Sequence, residues 1–473
     1  MPPSCPNRRA CLTILCAVLL LPGAAHAAAI DGAALGAAWA LPFAGMLLSI
    51  ALGPLLVPGF WQRHYGKVAL AWSLAFLLPS LAAAGPAATA FGLVHVLLAE
   101  YLPFIVLLAT LFAVAGGIYI RGNLHGSPLV NARLLLVGAV LASFMGTTGA
   151  SMLMIRPLLR ANDNRRSAAH VVVFFIFIVA NAGGVLTPLG DPPLFLGFLA
   201  GVEFSWTVRR LLPETLFAVG ALLAIFVAVD TWHFRRDGPT LPDPTPDTRG
   251  FAIEGKGNVL LLLGVMGLVL LSGVWRSGIG WTILGTEVRL EQVARDVLLV
   301  AVVLASLRWT PEAVHRSNEF HWAPMVEVAK LFAGIFVTIV PVIAILKAGS
   351  AGAFAPIVTL VTDAHGQPVP AAYFWASGLL SSFLDNAPTY LVFFNLAGGD
   401  ARMLMTTLAP VLAAISLGSV FMGANSYIGN APNLMVKAVA EHRGVKMPGF
   451  FGYMAWAGAV LLPLFAVMTF IFF

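Results

Sequence analysis

Residues 181–193 read NAGGVLTPLGDPP and interrupt an otherwise apolar stretch that runs from about residue 170 to residue 200. Pro188, Pro192 and Pro193 lack a backbone N–H donor and clash with the preceding helical turn, whereas the glycines tolerate an unwound backbone. The stretch therefore predicts two half-helices separated by a break with exposed backbone polar groups. Inside a membrane, such a break is tolerated only where it is buried in protein or lines a water-filled cavity.

The composition of the whole chain indicates that its solvent is lipid. Of the 473 residues, 59% are hydrophobic and only 10% are charged, which leaves too little polar surface to cover one soluble core. Many apolar runs reach the ~20 residues that a helix needs to cross a bilayer, and the alternation typical of an outer-membrane barrel is absent. We therefore expect an all-α polytopic membrane protein that contacts the lipid bilayer. The excess of 27 Lys and Arg over 21 Asp and Glu is assigned to basic cytoplasmic loops rather than to nucleic acid binding.

The first 27 residues read as a secretory signal peptide or, alternatively, as an uncleaved first helix. Arg8 and Arg9 precede a short apolar stretch, and an Ala-His-Ala site at residues 25–27 favours cleavage after Ala27. This segment also holds the three cysteines of the chain, Cys5, Cys11 and Cys16. The remaining chain is therefore expected to form neither a disulfide nor a thiolate metal site.

The rest of the chain repeats one plan twice. The predicted segments are a first repeat (35–232) with a re-entrant hairpin (134–160) and a broken helix (170–200), a cytoplasmic linker (233–258), and a second repeat (259–473) with a hairpin (374–396) and a broken helix (404–440). Aligning Thr148 with Asn386 at the hairpin tips places Asp191 opposite Asn430 to within one residue. Because each repeat has an odd number of crossings, the two repeats are expected to be inverted.

Basic residues set the expected orientation in the bacterial inner membrane. The positive-inside rule places a short basic loop at 62–67, the stretches 160–166 and 441–446, and the linker in the cytoplasm. This orientation puts the first hairpin on the cytoplasmic side and the second on the periplasmic side. Both helix breaks are then expected near the midplane.

Three strings in these segments resemble a known superfamily. GTTGASMLMIRPLLRAN (146–162), NAGGVLTPLGDPPLFLGFL (181–199) and DNAPTYLVFF (385–394) are similar to the NhaD-like and citrate-transporter-like sodium:proton antiporter branch of the ion transporter superfamily. The resemblance covers the chain after residue 35 and implies alternating access, transported sodium and protons, and a homodimer. Relatives that carry dicarboxylates with sodium have Ser-Asn-Thr triplets at both hairpin tips. Here the tips read GTT (146–148) and DNA (385–387), which weighs against a dicarboxylate.

Two acids in the breaks, Asp191 and Asp385, are the leading candidates for a sodium site. Placing a charged carboxylate at membrane depth costs at least about 2.5 to 3.5 kcal/mol. Such a residue is therefore expected to have a neutralising partner or a functional role. Unwound carbonyls and nearby hydroxyls supply the oxygen ligands that sodium prefers. Because burial favours a neutral carboxylic acid, the same group could hold a proton or a sodium ion, and this competition suffices for antiport. The further candidate ligands are Asn386, Asn430, Thr147, Thr148, Asn181, Asn433 and Asn425.

Two alternatives remain open from the sequence. Asp191 and Asp385 could instead cap the helices that follow them by accepting backbone N–H bonds. The transported species could instead be citrate, another carboxylate or an oxyanion that moves with sodium or protons, held by the positive ends of half-helices. The breaks contain two acids and no Lys or Arg, which favours the cation. No phosphate-binding loop or metal-binding motif is found, so we expect neither an enzyme nor a bound cofactor.

Overall fold

A computed structural model of the chain describes residues 31–238, 241–245 and 252–473. The signal segment predicted for residues 1–27 lies outside the described residues. Within them, eight helices are long and apolar enough to cross a membrane, or nine if Ala323–Thr338 and Val340–Lys347, bent by 41°, form one span. The only described sheets are two short antiparallel pairs. The prediction of an all-α polytopic membrane protein is therefore confirmed.

The helices on either side of the linker have the following bounds. The first set is α1 (Leu41–Leu56), α2 (Pro58–Ala83), α3 (Gly85–His95), α4 (Leu102–Gly116), α5 (Pro128–Ala161), α6 (Ala169–Ile178), α7 (Pro192–Leu199) and α8 (Phe204–Arg236). The second set is α9 (Lys256–Val274), α10 (Leu290–Trp309), α11 (Glu312–Ser317), α12 (Ala323–Thr338), α13 (Val340–Lys347), α14 (Ala355–Leu360), α15 (Pro370–Ser381), α16 (Asn386–Leu396), α17 (Ala401–Met405), α18 (Ala409–Phe421), α19 (Ala431–His442) and α20 (Phe450–Phe472). The strands are β1 (Tyr119–Arg121), β2 (Ala252–Glu254), β3 (Gly280–Ile283) and β4 (Thr286–Arg289).

The structure changes two of the expected connections. The basic stretch 62–67, predicted as a loop, lies inside α2, which begins at Pro58 after the non-helical Val57. That prediction was wrong because basic residues mark a membrane boundary, whereas the helix boundary is set by Pro58 at the first helical position. The predicted linker 233–258 is also partly ordered into regular elements. Its start continues α8, its end begins α9, and β2 pairs with β1.

Each predicted hairpin and broken helix contains a non-helical interruption. Helix α5 is kinked at Gly146, while α15 and α16 are separated by residues 382–385. Between α6 and α7 lies a 3₁₀ turn, Ala182–Leu186, and between α18 and α19 lies another, Met422–Asn425. The repeat boundaries and the inverted relation between the halves stay predictions.

The half-helices α6 and α18 form the centre of the molecule. Residues 170–178 of α6 and 411–421 of α18 are all buried. Around them the two halves pack crosswise, because α5 of the first hairpin contacts α19, and α16 of the second hairpin contacts α7. Large apolar side chains on the outer helices, such as Leu260, Val274 and Phe470, are exposed, as expected for surfaces that face lipid.

Candidate functional site

The tip of the first hairpin is fastened to the break between α6 and α7. Gly146 has φ +81° and ψ 150°, a conformation that is open essentially only to glycine. This bend lets the Thr147 N–H donate to the Gly190 carbonyl at 2.8 Å, and the Thr187 hydroxyl donates to the Ser143 carbonyl. Both bonds satisfy backbone groups that the break would otherwise leave unpaired.

The second half repeats this fastening with the same spacing. The Ser426 hydroxyl donates to the Ser382 carbonyl, and this bond, like that from Thr187 to Ser143, joins residues 44 positions apart. When the two halves are aligned by these matching bonds, Thr147 of the first half is equivalent to Asn386 of the second. The predicted alignment of Thr148 with Asn386 was therefore one residue out. The tip sequences alone contain no marker that fixes this register.

Asp191 joins the two halves of the protein. Its carboxylate accepts a hydrogen bond from the Thr147 hydroxyl at 2.8 Å and another from the Asn386 amide at 2.6 Å. Asp191 is 1% exposed. It stands at the N-terminus of α7, yet its side chain makes no capping bond there, so the capping alternative is wrong for this residue. The two hairpin tips therefore meet at one buried carboxylate.

Asp385 differs from Asp191 in its contacts. Its carboxylate accepts the Ala387 N–H at 3.0 Å and so caps α16, as the capping alternative predicted. The side chain is only partly buried. The neighbouring Asn386 donates its amide to Asp191, while its buried Oδ1 atom has no hydrogen-bond partner in the described part of the chain. An unpaired buried oxygen next to a carboxylate is a feature that calls for an explanation, and a bound cation supplies one.

Three of the predicted ligands, Asn181, Asn433 and Asn425, do not line the cavity that Asp191 and Asp385 share. Asn181 donates to Asn433 at 2.8 Å, and Asn433 donates to the carbonyls of Gly423 and Ser426, each at 2.9 Å. Asn425 donates to the Ser382 hydroxyl. These contacts satisfy the unwound backbone and hold the hairpin in place, which is the role that such amides commonly take.

The other six predicted residues line a single cavity of about 340 Å³. They are Asp191, Asp385, Asn386, Asn430, Thr147 and Thr148. The opposite wall is apolar and comes from α4 and α12, with Leu111, Phe112, Pro324, Met325 and Phe332 among its residues. These wall residues were missed in the sequence analysis, because an apolar side chain carries no distinguishing signal in a chain that is mostly apolar. Within the described ranges, no Lys or Arg lines this cavity.

A smaller cavity of about 110 Å³ shares three lining residues with the first, Phe112, Pro324 and Met435. It extends towards Arg156 of α5 and Glu319, whose Nη2 and Oε2 atoms are 3.5 Å apart. Arg156 lies in the half of α5 that leads to the basic stretch 160–166. The smaller cavity therefore lies beside the main cavity, on the side of the predicted cytoplasmic end of the first hairpin.

The family of the chain follows from a match over nearly its whole length. Residues 32–473 match the model of a family described as "Putative citrate transport". The chain belongs to this family. This citrate-transporter-like protein is accordingly a multi-pass membrane transporter, as the apolar helices also indicate.

Its curated relatives are mycobacterial membrane proteins. A "46 kDa membrane protein" of Mycobacterium leprae is 25% identical over 332 residues, which cover 68% of this chain and 71% of the relative. Uncharacterized transporters of Mycobacterium bovis and Mycobacterium tuberculosis are each 25% identical over 337 residues, with the same coverage.

Proposed function

We propose that this citrate-transporter-like protein is a secondary transporter of the bacterial inner membrane that exchanges sodium, or lithium, for protons by alternating access. The observation that carries the proposal is the charge of the cavity, whose lining in the described part of the chain includes Asp191 and Asp385 but no Lys or Arg. Asp191 accepts hydrogen bonds from two neutral groups, the Thr147 hydroxyl and the Asn386 amide. A buried carboxylate without a cationic partner is stabilised by binding a cation or a proton.

The oxygen atoms around Asp191 suit a hard monovalent cation. The proposed ligands are the carboxylates of Asp191 and Asp385, the unpaired Asn386 Oδ1 and nearby hydroxyl or carbonyl oxygens. Oxygen ligands of this kind are preferred by hard cations. A proton on Asp191 removes the negative charge that attracts sodium, so the two ions compete, and one site serves both directions of exchange.

The hydrogen bonds at the tips give the exchange a structural basis. Asp191 is held by a residue from each hairpin, Thr147 and Asn386, so occupancy of its carboxylate acts on both tips together. A ligand shifts a conformational equilibrium only through its different affinity for the two states. The hairpins and broken helices are proposed to move together against α4 and α12, and the homodimer expected from the resemblance would hold those helices fixed.

A second candidate is transport of citrate or another carboxylate together with a cation. It is favoured by the family description and by the cavity volume of about 340 Å³, which lies within the range of small-molecule sites. The anion would need sodium or protons to neutralise Asp191 and Asp385 first, because two like charges at close range repel strongly at low dielectric. This candidate uses the same two acids in a different role.

Inverted membrane vesicles from antiporter-deficient bacteria provide the test. A pH gradient is established and sodium, lithium, potassium or citrate is added separately. Proton movement on adding sodium or lithium chloride alone supports cation:proton exchange. An absence of response to every cation, together with uptake of labelled citrate, contradicts the exchange and supports the second candidate.

A further inference from the structure

A third cavity, of about 800 Å³, lies outside the proposed transport site. It is formed where the end of α5, the loop to α6, the end of α8 and the segment after α19 come together. We call it the basic cavity, because five cationic side chains line it: Arg160, Arg165, Arg166, Arg443 and Lys446. Asp163 is the one carboxylate among its described lining residues.

Two of these five cations are already engaged by the protein. Arg165 forms a buried ion pair with Asp230, with 2.6 Å between Nη2 and Oδ1. Arg160 donates to the Tyr119 hydroxyl and to the Ile120 carbonyl, each at 2.5 Å. The Nε atom of Arg160 is buried, and the structure shows no hydrogen-bond partner for it in the described ranges. These two side chains are therefore held in place by the protein, and the charge of Arg165 is balanced by Asp230.

The other three cations, Arg166, Arg443 and Lys446, are exposed and carry no described ion pair. They come from two distant parts of the chain, the loop after α5 and the segment after α19. The single acid, Asp163, accepts a hydrogen bond from the Thr245 hydroxyl. Like charges that are brought together without a counter-charge repel each other. The arrangement is therefore stabilised when an anion binds between them.

The remaining walls indicate what kind of anion fits. Leu159 and Trp456 add apolar surface beside the cations, and the rings of His170 and His233 stack with centroids 4.1 Å apart. The cationic segments are those that the positive-inside rule assigns to the cytoplasm. Basic pockets between transmembrane helices on that side suit phosphate-bearing head groups, and Arg side chains bind phosphate through two parallel N–H bonds.

We propose that the basic cavity binds a phosphate-bearing anion, either the head group of an anionic phospholipid or a soluble phosphate. The ligand would bridge the end of the first hairpin, through Arg166, to the segment after α19, through Arg443 and Lys446. It would thus tie together parts of both halves on the predicted cytoplasmic side. This proposal does not depend on which ion or carboxylate the protein transports.

The test measures thermal unfolding of the purified full-length protein in detergent while cardiolipin or inorganic phosphate is titrated. The variant carries Arg166→Gln, Arg443→Gln and Lys446→Gln together. The matched control carries Arg63→Gln, Lys67→Gln and Arg308→Gln, which remove three exposed charges on the same predicted side but outside the cavity. A charge-retaining variant, Arg166→Lys with Arg443→Lys, shows whether loss of binding follows from charge or from misfolding.

We expect a probe to raise the unfolding temperature of the wild type, the control and the charge-retaining variant. In the triple Gln variant the concentration for half-maximal effect should rise roughly 10- to 100-fold. Stabilisation by cardiolipin alone identifies the lipid head group, and stabilisation by phosphate identifies a soluble anion. An equal response of the triple Gln variant and the wild type, or no response of the wild type to either probe, overturns the proposal.

Discussion

At the scale of single residues, Asp191 combines burial with the absence of a cationic partner among the residues that the structure describes. The carboxylate of Asp230 is equally buried, but Arg165 and His170 lie within 2.7 Å of it, and the side-chain amide of Asn131 donates a hydrogen bond to it. The two acids therefore meet the cost of burial differently. Asp230 is neutralised by the protein itself, whereas in the proposed function Asp191 is neutralised by a proton or by the transported cation.

Neutral replacement of the two cavity acids should stop transport without preventing membrane insertion. We expect Asp191→Asn and Asp385→Asn each to reduce sodium-dependent proton movement in inverted vesicles to the background level, because an amide neither titrates nor supplies a charge to sodium. Asp363→Asn is the matched control, since that exposed side chain only accepts backbone N–H bonds from a turn. Normal exchange in both cavity variants would contradict the proposed site.

The ion pair of Asp230 with Arg165 should contribute far more to stability than an exposed pair. Asp230→Asn leaves a buried guanidinium without its counter-charge, so we expect a loss of about 3–5 kcal/mol. Glu312→Gln breaks the pair with Arg316, whose side chains are 78% and 75% exposed, and should cost about 0–1 kcal/mol. Chemical denaturation of both variants in detergent measures the difference. Similar losses in the two variants would show that burial of the Asp230 pair is energetically unimportant.

At the scale of the elements, the hairpin kink depends on the backbone conformation of Gly146. A side chain at φ +81° and ψ 150° is strained, so Gly146→Ala should destabilise the protein by about 1–3 kcal/mol. Gly220→Ala in α8 is the control, because a methyl group there meets no atom within 4 Å. Thermal unfolding should show a lower midpoint for Gly146→Ala only. Equal midpoints would mean that the kink relaxes at no cost.

The breaks were predictable from the sequence, whereas their partners were not. The prolines and glycines in residues 181–193 disrupt a helix wherever they occur, and the structure has its interruption in this segment. The contact of Thr147 and Asn386 with Asp191 depends on how the two hairpins approach each other in space. Asp191 and Asn386 are separated by 195 positions in the sequence. The apolar cavity wall and the pairing of β1 with β2 are likewise tertiary outcomes that carry no local pattern.

At the scale of the whole molecule, three basic segments that are far apart in sequence meet at the basic cavity. They are the loop after α5, the end of α8 and the segment after α19. The positive-inside rule had assigned each of these regions separately to the cytoplasm. The smaller cavity next to the main one is lined by Arg156 and Glu319 and lies towards the same end of the first hairpin. From these features we predict that the cavity at Asp191 is reached from the cytoplasmic side in this conformation.

Thiol labelling tests that orientation directly. In a background with Cys5, Cys11 and Cys16 replaced by Ser, no other cysteine remains. We expect Thr148→Cys, which lines the cavity, to react with a membrane-impermeant maleimide faster in inverted than in right-side-out vesicles.

Thr282→Cys serves as the orientation control for this experiment. It lies exposed in β3, between α9 and α10. Because α9 starts at the linker that is predicted to be cytoplasmic and crosses the membrane once, the predicted orientation places β3 in the periplasm. It should therefore react faster in right-side-out vesicles. The same sidedness for both cysteines would contradict the predicted orientation, and faster labelling of Thr148→Cys from the periplasmic side would mean that this conformation opens outward.

The crosswise packing of α5 on α19 and of α16 on α7 also affects how the protein is made. Helix α5 leaves the ribosome about 280 residues before the end of α19, which at 5–20 residues per second is an interval of roughly 15 to 60 s. During that interval the first hairpin is without its eventual neighbour, and its kinked, polar tip is unshielded in the lipid. Biogenesis of this protein should therefore depend on an insertase or membrane chaperone that shelters the early half until synthesis is complete.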